Sequence, residues 1–122
     1  MVGESLRQLL VRGEGVGAFV GADVRSGRAG HPVCGDQVEL SLQFTAGPAG
    51  ASDRIAALRW RASGCPATLA ICALAHHVLA DVPCADAASV LRRAILAHGG
   101  LAAHERHAEA MVLRALAAAG GG

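Results

Sequence analysis

Aromatic residues are the scarcest class in this sequence of 122 residues, which has two phenylalanines, one tryptophan and no tyrosine. Three rings are too few for the stacking platform on which proteins hold single-stranded bases. Charge is also sparse, because 17% of the residues are charged and the formal net charge is +1. That balance fits neither a basic nucleic-acid surface nor a disordered acidic tail. Nucleic acid is therefore not an expected partner.

Long apolar runs and targeting signals are missing as well. The longest apolar run, ATLAICALA at 67–75, is well short of a membrane span, so no membrane association is expected. The opening MVGESLRQLLVRGEG lacks the basic start and the small-residue cleavage site of a signal peptide. We expect a cytoplasmic protein whose four cysteines remain thiols, available for metal binding, redox chemistry or packing.

The periodicity of the chain predicts one α+β domain that spans residues 1–122. Residues 37–44 alternate between polar and apolar side chains, and the alternation resumes over 54–63 after the turn TAGPAGASD, which indicates an antiparallel hairpin. The glycine-punctuated stretch before it is expected to be extended or an edge strand. Helices are predicted over 66–80, 86–97 and 102–118 and, within an N-terminal segment 1–12, over 4–12; residues 118–122 are expected to form a flexible tail.

These elements define the expected architecture. A small antiparallel sheet of about three strands is packed on one face by the C-terminal helices, because strands come early in the chain and helices late. We find no internal repeat that would suggest a second unit.

Two loops carry residues that could perform chemistry. Gly35 permits a tight turn in which the thiol of Cys34 and the carboxylate of Asp36 can converge. Pro66 at the first helical position places Cys65 near a helix N-terminus, a setting typical of thiolates that bind metal or attack sulfur. The alternative for either cysteine is a small buried hydrophobe, and composition alone leaves the question open.

Two histidines near the start of the last helix are further candidates. A spacing of three puts His104 and His107 on one helix face, which Met111 and Ala115 continue toward the core. Imidazole suits zinc and iron and replaces cysteine on some iron–sulfur clusters. The alternative is an ordinary solvated first turn. Cys72 lies within the apolar helical run, where packing is the better interpretation.

Taken together, these pieces resemble the iron–sulfur cluster scaffold family of IscU and the N-terminal domain of NifU. The resemblance begins at GVGAF, continues through the turn AGHPVCGD and the strand pair, and includes SGC before a long helix. It ends in a final helix rich in alanine and glutamate, so it covers nearly the whole chain. PVCGD followed by an alternating strand is its most specific part.

The resemblance implies a set of ligands. In that family three cysteines and one aspartate surround an exposed assembly site that holds a [2Fe-2S] cluster, or zinc in some preparations. Cys34 and Asp36 match the first cysteine and the aspartate of the family's CGD motif, and Cys65 matches the second cysteine. The third family cysteine, at the start of the last helix in a HCSxLAE-like motif, is absent. Aligning the AE at 108–109 with the family's AE puts His104 in its place, with His107 as second choice.

The missing cysteine bears on partners. In the family it is a principal acceptor of persulfide sulfur from a cysteine desulfurase, and imidazole cannot take up sulfane sulfur. The LPPVK-like loop through which family members engage an Hsp70-type chaperone is replaced by HGGLAA, which argues against recognition by that chaperone. The resemblance implies a scaffold or carrier, monomeric or dimeric, that takes part in cluster assembly or transfer with a desulfurase and recipient apo-proteins as partners.

Two other functions fit the same residues. A mononuclear zinc or ferrous module could use the same cysteine, histidine and carboxylate ligands. A metal-free paralogue could instead modulate a complex of desulfurase and scaffold. The sequence contains no Ser-His-Asp set, phosphate-binding glycine loop or metal-hydrolase motif, so we do not expect an enzyme.

Overall fold

The computed structural model describes residues 15–19, 24–30, 35–45 and 54–120, without the side chain of His104. Within these ranges the protein is an α+β domain with a four-stranded antiparallel sheet in the order β1-β2-β3-β4, which confirms the predicted fold class. The strands are β1 (Val24–Gly30), β2 (Gln37–Thr45), β3 (Arg54–Ser63) and β4 (Val82–Pro83), and the helices are α1 (Pro66–Val78), α2 (Ala87–Ala97) and α3 (Arg106–Ala118). The helix expected over 4–12 and residues 121–122 of the expected tail lie outside the described residues.

The hairpin of β2 and β3 supplies the apolar face of the sheet. Leu40 pairs with Trp60 and Leu42 with Leu58, and all four side chains are buried. Their neighbours along each strand point to the opposite face, because successive side chains alternate in a strand. The strict alternation ends at a register shift between Gln43 and the next residue of β2, near the turn.

The sheet has one strand more than expected. β1 is the edge strand that the glycine-punctuated stretch predicted, whereas β4 is a two-residue strand that pairs with the start of β3. Two residues are too few to show a strand period in a sequence, and Pro83 is tolerated because β4 lies at the edge. Further along the same side of β3, the backbone N–H of Trp60 donates to the Gly15 carbonyl at 2.9 Å, and the N–H of Gly17 donates to the Trp60 carbonyl at 2.8 Å.

The three helices cover the apolar face in two layers. α1 packs against β3, α3 crosses β1 and β2, and α2 lies on α1. The end of α3 comes so close to β1 that a Cβ on Gly27 would stand 2.1 Å from the carbonyl oxygen of Ala115, so only glycine fits there. α1 is buried along most of its length, with Cys72 in the core. Among the described residues, no helix has the length and apolar character needed to cross a membrane.

Candidate metal centre

The pairing of β2 with β3 brings the two predicted loops together. Gln37 at the start of β2 is opposite Ser63 at the end of β3. Asp36 therefore lies beside Gly64 and Cys65, which lead from β3 into α1. Antiparallel strands place the beginning of one next to the end of the other, so residues separated widely in sequence become neighbours.

Asp36 is fixed by hydrogen bonds from the first turn of α1. The backbone N–H of Cys65 donates to Asp36 Oδ2 at 3.1 Å, and the hydroxyl of Thr68 donates to the same oxygen at 3.3 Å. The Asp36 side chain is buried, as is that of Thr68. Cys65 Sγ lies 3.3 Å from Thr68 Oγ1, so the thiol and the carboxylate share one hydroxyl neighbour.

His107 completes the group from α3. Its Nε2 is 3.7 Å from Cys65 Sγ and 3.8 Å from Asp36 Oδ2. One ligand atom from each of these three side chains lies within 4.8 Å of the other two. The histidine side chain remains 27% exposed, so the group opens to solvent on the side of α3. A ligand could reach it without unfolding.

Electrostatics favour an ionised carboxylate in this group. The backbone N–H of Cys65 is the largest influence on the pKa of Asp36 and lowers it below its ordinary value. Burial opposes that effect, while contacts with the side chains of Cys65 and Thr68 and the nearby charge of His107 add to it. Asp36 is therefore held as an anion, the form that binds a metal ion.

Gly64 leaves the room that the carboxylate occupies. Its φ is +143°, and a Cβ on it would stand 2.3 Å from Asp36 Cγ and 2.6 Å from each carboxylate oxygen. A side chain at this position would displace the carboxylate. The glycine before the cysteine in SGC thus has a geometric role in the site as well as in the turn.

Some of the predicted site residues lie together in the structure, and others lie outside the described part of the chain. Asp36 and Cys65, which the resemblance assigns to one ligand set, lie close together, and among the described side chains His107 is the histidine beside them. Cys34 lies outside the described residues. His104 lies in a 3₁₀ turn, Ala103–Glu105, but its side chain is outside the description. Their roles remain predictions.

Thr68 and Cys72 show what sequence reasoning missed and what it found. Thr68 follows Cys65 by three residues in the first helical turn, and that spacing is the signal that could have revealed their contact.

Cys72 is fully buried, and burial raises the pKa of its thiol to about 12. This confirms packing as its role, because a buried neutral thiol is neither a ready nucleophile nor an accessible ligand.

The donor atoms suit a single metal ion. Zinc binds thiolate sulfur at about 2.3 Å and imidazole nitrogen at about 2.0–2.1 Å, so adjacent ligands in a tetrahedral site lie about 3.3–3.6 Å apart. The separations of 3.7 and 3.8 Å found around His107 Nε2 are slightly longer than that. A sulfur, nitrogen and oxygen set also suits iron. His107 Nε2 therefore needs only small movements to share a metal with Cys65 or with Asp36.

The fold and this site together define a small α+β domain with a candidate metal centre at one end of its sheet. Residues 12–120 match the family described as the NifU-like N terminal domain. The chain belongs to that family. The match excludes only the ends of the sequence and contains every residue of the site.

Solved structures share the fold. A protein from Fervidobacterium islandicum AW-1, described as an iron–sulfur cluster assembly scaffold for the SUF system, is 14% identical with a TM-score of 0.69, covering 95% of this chain and 93% of its own. The N-terminal part of a nitrogen-fixing NifU-like protein from Brucella abortus is 13% identical with a TM-score of 0.61, covering 94% and 86%. A search of curated protein sequences found no significant match.

Proposed function

We propose that this protein is an iron–sulfur cluster scaffold or carrier that holds a labile [2Fe-2S] cluster as cargo and passes it to apo-proteins. The observation that carries the proposal is the convergence of Asp36, Cys65 and His107 in a NifU-like domain. The ligands we assign are Cys34, Asp36, Cys65 and one imidazole from the start of the last helix. The role is one of binding and transfer rather than enzymatic turnover.

The distances favour His107 as the imidazole ligand. Its Nε2 lies 3.7 Å from Cys65 Sγ, and both groups can turn toward one iron. His104 remains the candidate from the alignment with the family's third cysteine. Whichever histidine binds, the chain lacks the family's third cysteine, which accepts persulfide sulfur. We therefore favour cluster carriage over sulfur uptake from a cysteine desulfurase.

Asp36 is the ligand that would release the cluster. A carboxylate oxygen is a poor partner for a soft iron–sulfide core and exchanges more readily than a thiolate. Hydrogen bonds from Cys65 N–H and Thr68 already occupy Oδ2, and they draw charge from the carboxylate. Cluster transfer would begin at this ligand. A cytoplasmic location fits the proposal, because cysteine ligands remain reduced there.

The site geometry also favours a second candidate, a mononuclear zinc or ferrous protein. The three ligand atoms lie within 4.8 Å of one another, close enough for one ion to draw them together. In this alternative Cys34 would be the fourth ligand. The domain would then serve a structural or regulatory role without sulfide.

Anaerobic reconstitution with ferrous iron and sulfide separates these functions. The scaffold proposal predicts visible charge-transfer absorption, equal iron and sulfide after gel filtration, and transfer of the cluster to an apo-ferredoxin. Cys65→Ser should abolish retention of the cluster, whereas Cys72→Ala should keep it, because Cys72 is fully buried. Bound zinc, or bound iron without sulfide, would support the second candidate, and neither metal nor sulfide would contradict both.

A further inference from the structure

Thr68 is the one polar side chain among the buried residues of α1. Its neighbours in the buried face of the helix are alanine, isoleucine, leucine and the buried Cys72. A buried hydroxyl costs free energy unless it finds a hydrogen-bond partner, and valine would fill the same volume without that cost. The hydroxyl at this position therefore points to a role beyond packing.

The hydroxyl touches two side chains of the candidate metal centre at once. Thr68 Oγ1 is 3.3 Å from Asp36 Oδ2 and 3.3 Å from Cys65 Sγ. The hydroxyl has one proton and two lone pairs, so in the metal-free protein it donates to the carboxylate and accepts from the Cys65 thiol. When Cys65 is a thiolate, the hydroxyl proton remains directed to Asp36. Asp36 comes from the start of β2 and Cys65 from the start of α1, so this single group connects ligands from two elements.

His107 contacts the same pair and is partly exposed. Its Nε2 is 3.7 Å from Cys65 Sγ and 3.8 Å from Asp36 Oδ2, and 27% of its side chain is accessible, whereas Thr68 is fully buried. A metal would reach the group beside the partly exposed histidine. The buried threonine would stay outside the ligand shell and restrain the Asp36 ligand.

We propose that Thr68 is a positioning residue for the metal centre, in which its hydroxyl donates to the Asp36 carboxylate and holds that ligand beside Cys65. This inference rests on the proposed function only in requiring that the site binds a metal ion. Thr68 acts through Asp36, because its hydroxyl and the backbone N–H of Cys65 together restrain Asp36 Oδ2. Groups in this outer position commonly orient metal ligands, and removing one weakens metal binding.

Titration of the full chain with Co²⁺ under anaerobic conditions tests the proposal. Sulfur-to-cobalt charge transfer reports the bonds from cysteine thiolates, and the ligand-field bands report coordination geometry. We expect Thr68→Val to bind Co²⁺ about 10-fold more weakly and with altered ligand-field bands. Thr68→Ser, which keeps the hydroxyl, should bind as the wild type does. If the valine variant does not fold, Thr68→Ala against Thr68→Ser gives the same comparison.

A double-mutant cycle separates positioning from packing. In an Asp36→Ala background the Thr68 hydroxyl has lost its carboxylate acceptor, so Thr68→Val should weaken Co²⁺ binding much less than in the wild type. An equal loss in both backgrounds would overturn the proposal, as would unchanged affinity of Thr68→Val. Failure of the wild type to bind Co²⁺ would instead refute the metal centre itself and with it the proposed function.

Discussion

Replacing Gly64 by alanine should disrupt the candidate metal centre although none of its ligand residues is substituted. The new Cβ would stand 2.3 Å from Asp36 Cγ, and an ordinary contact begins at 3.4 Å, so the carboxylate must retreat by about 1.1 Å. A shift of that size would break the 3.1 Å hydrogen bond from Cys65 N–H to Asp36 Oδ2. Gly64→Ala therefore moves one predicted ligand away from the others.

The cost to stability has two parts. The backbone at φ +143° is strained for any residue with a side chain, at about 1–3 kcal/mol. Loss of a hydrogen bond to a charged carboxylate adds about 1.5–3 kcal/mol. We expect the free energy of unfolding of the metal-free protein to fall by about 2.5–6 kcal/mol, the sum of these effects.

Urea unfolding followed by circular dichroism measures that loss, and a second glycine provides the control. Gly99 has φ +101° and no atom within 4 Å of a Cβ built on it, so Gly99→Ala adds backbone strain alone. It should lose about 1–3 kcal/mol and keep its affinity for Co²⁺. Gly64→Ala should lose more stability and bind Co²⁺ at least about 10-fold more weakly.

Equal destabilisation by the two substitutions would refute the contact between Gly64 and Asp36. Unchanged Co²⁺ affinity of Gly64→Ala would show that the position of the carboxylate does not matter for metal binding. Either result would remove the geometric basis on which Asp36 was assigned to the site.

Three further predictions test other parts of the account. The lowered pKa of Asp36 contributes stability that is present above the pKa of this group in the unfolded chain and is lost as pH falls through its value in the folded protein. In urea unfolding, the stability advantage of the wild type over Asp36→Asn should therefore shrink below about pH 4. A constant advantage would contradict this. Cys72 should resist iodoacetamide in the native metal-free protein while Cys65 reacts, as read by peptide mass spectrometry, because burial raises the pKa of the Cys72 thiol to about 12; rapid native labelling of Cys72 would refute its burial. His104→Cys should keep or strengthen cluster binding and gain persulfide from a cysteine desulfurase, and equal loading of wild type and variant would count against it.

Much of the fold could be predicted from local patterns. The alternation of β2 and the helical period after Pro66 identify elements that are long enough for their apolar faces to be recognised in the sequence. β4 could not be predicted, because a strand of two residues has no period and exists only through its pairing with Arg54 and Ile55. Its position depends on tertiary packing.

The loops that hold Asp36 and Cys65 could be predicted from the sequence, but the histidine that faces them could not. Gly35 and Pro66 indicate where Asp36 and Cys65 stand in the chain, and the hairpin register brings them together. Which imidazole faces them depends on the rotation of the last helix about its axis. A continuous helix over 102–118 was expected, whereas the structure has a 3₁₀ turn before α3. A 3₁₀ helix turns 120° per residue instead of 100°, so three such residues rotate the side chains before α3 by about 60° relative to a continuous α-helix. No sequence spacing reports that rotation.

The most direct test of the central claim is pulsed electron paramagnetic resonance of the reduced, reconstituted protein. A [2Fe-2S] cluster bound through Cys34, Asp36, Cys65 and His107 predicts nitrogen couplings from one imidazole. These couplings should be retained in His104→Ala and lost in His107→Ala, since His107 Nε2 lies 3.7 Å from Cys65 Sγ. Loss of the couplings in His104→Ala instead would assign the ligand to His104. A cluster without imidazole coupling, or no retained iron and sulfide at all, would contradict the account.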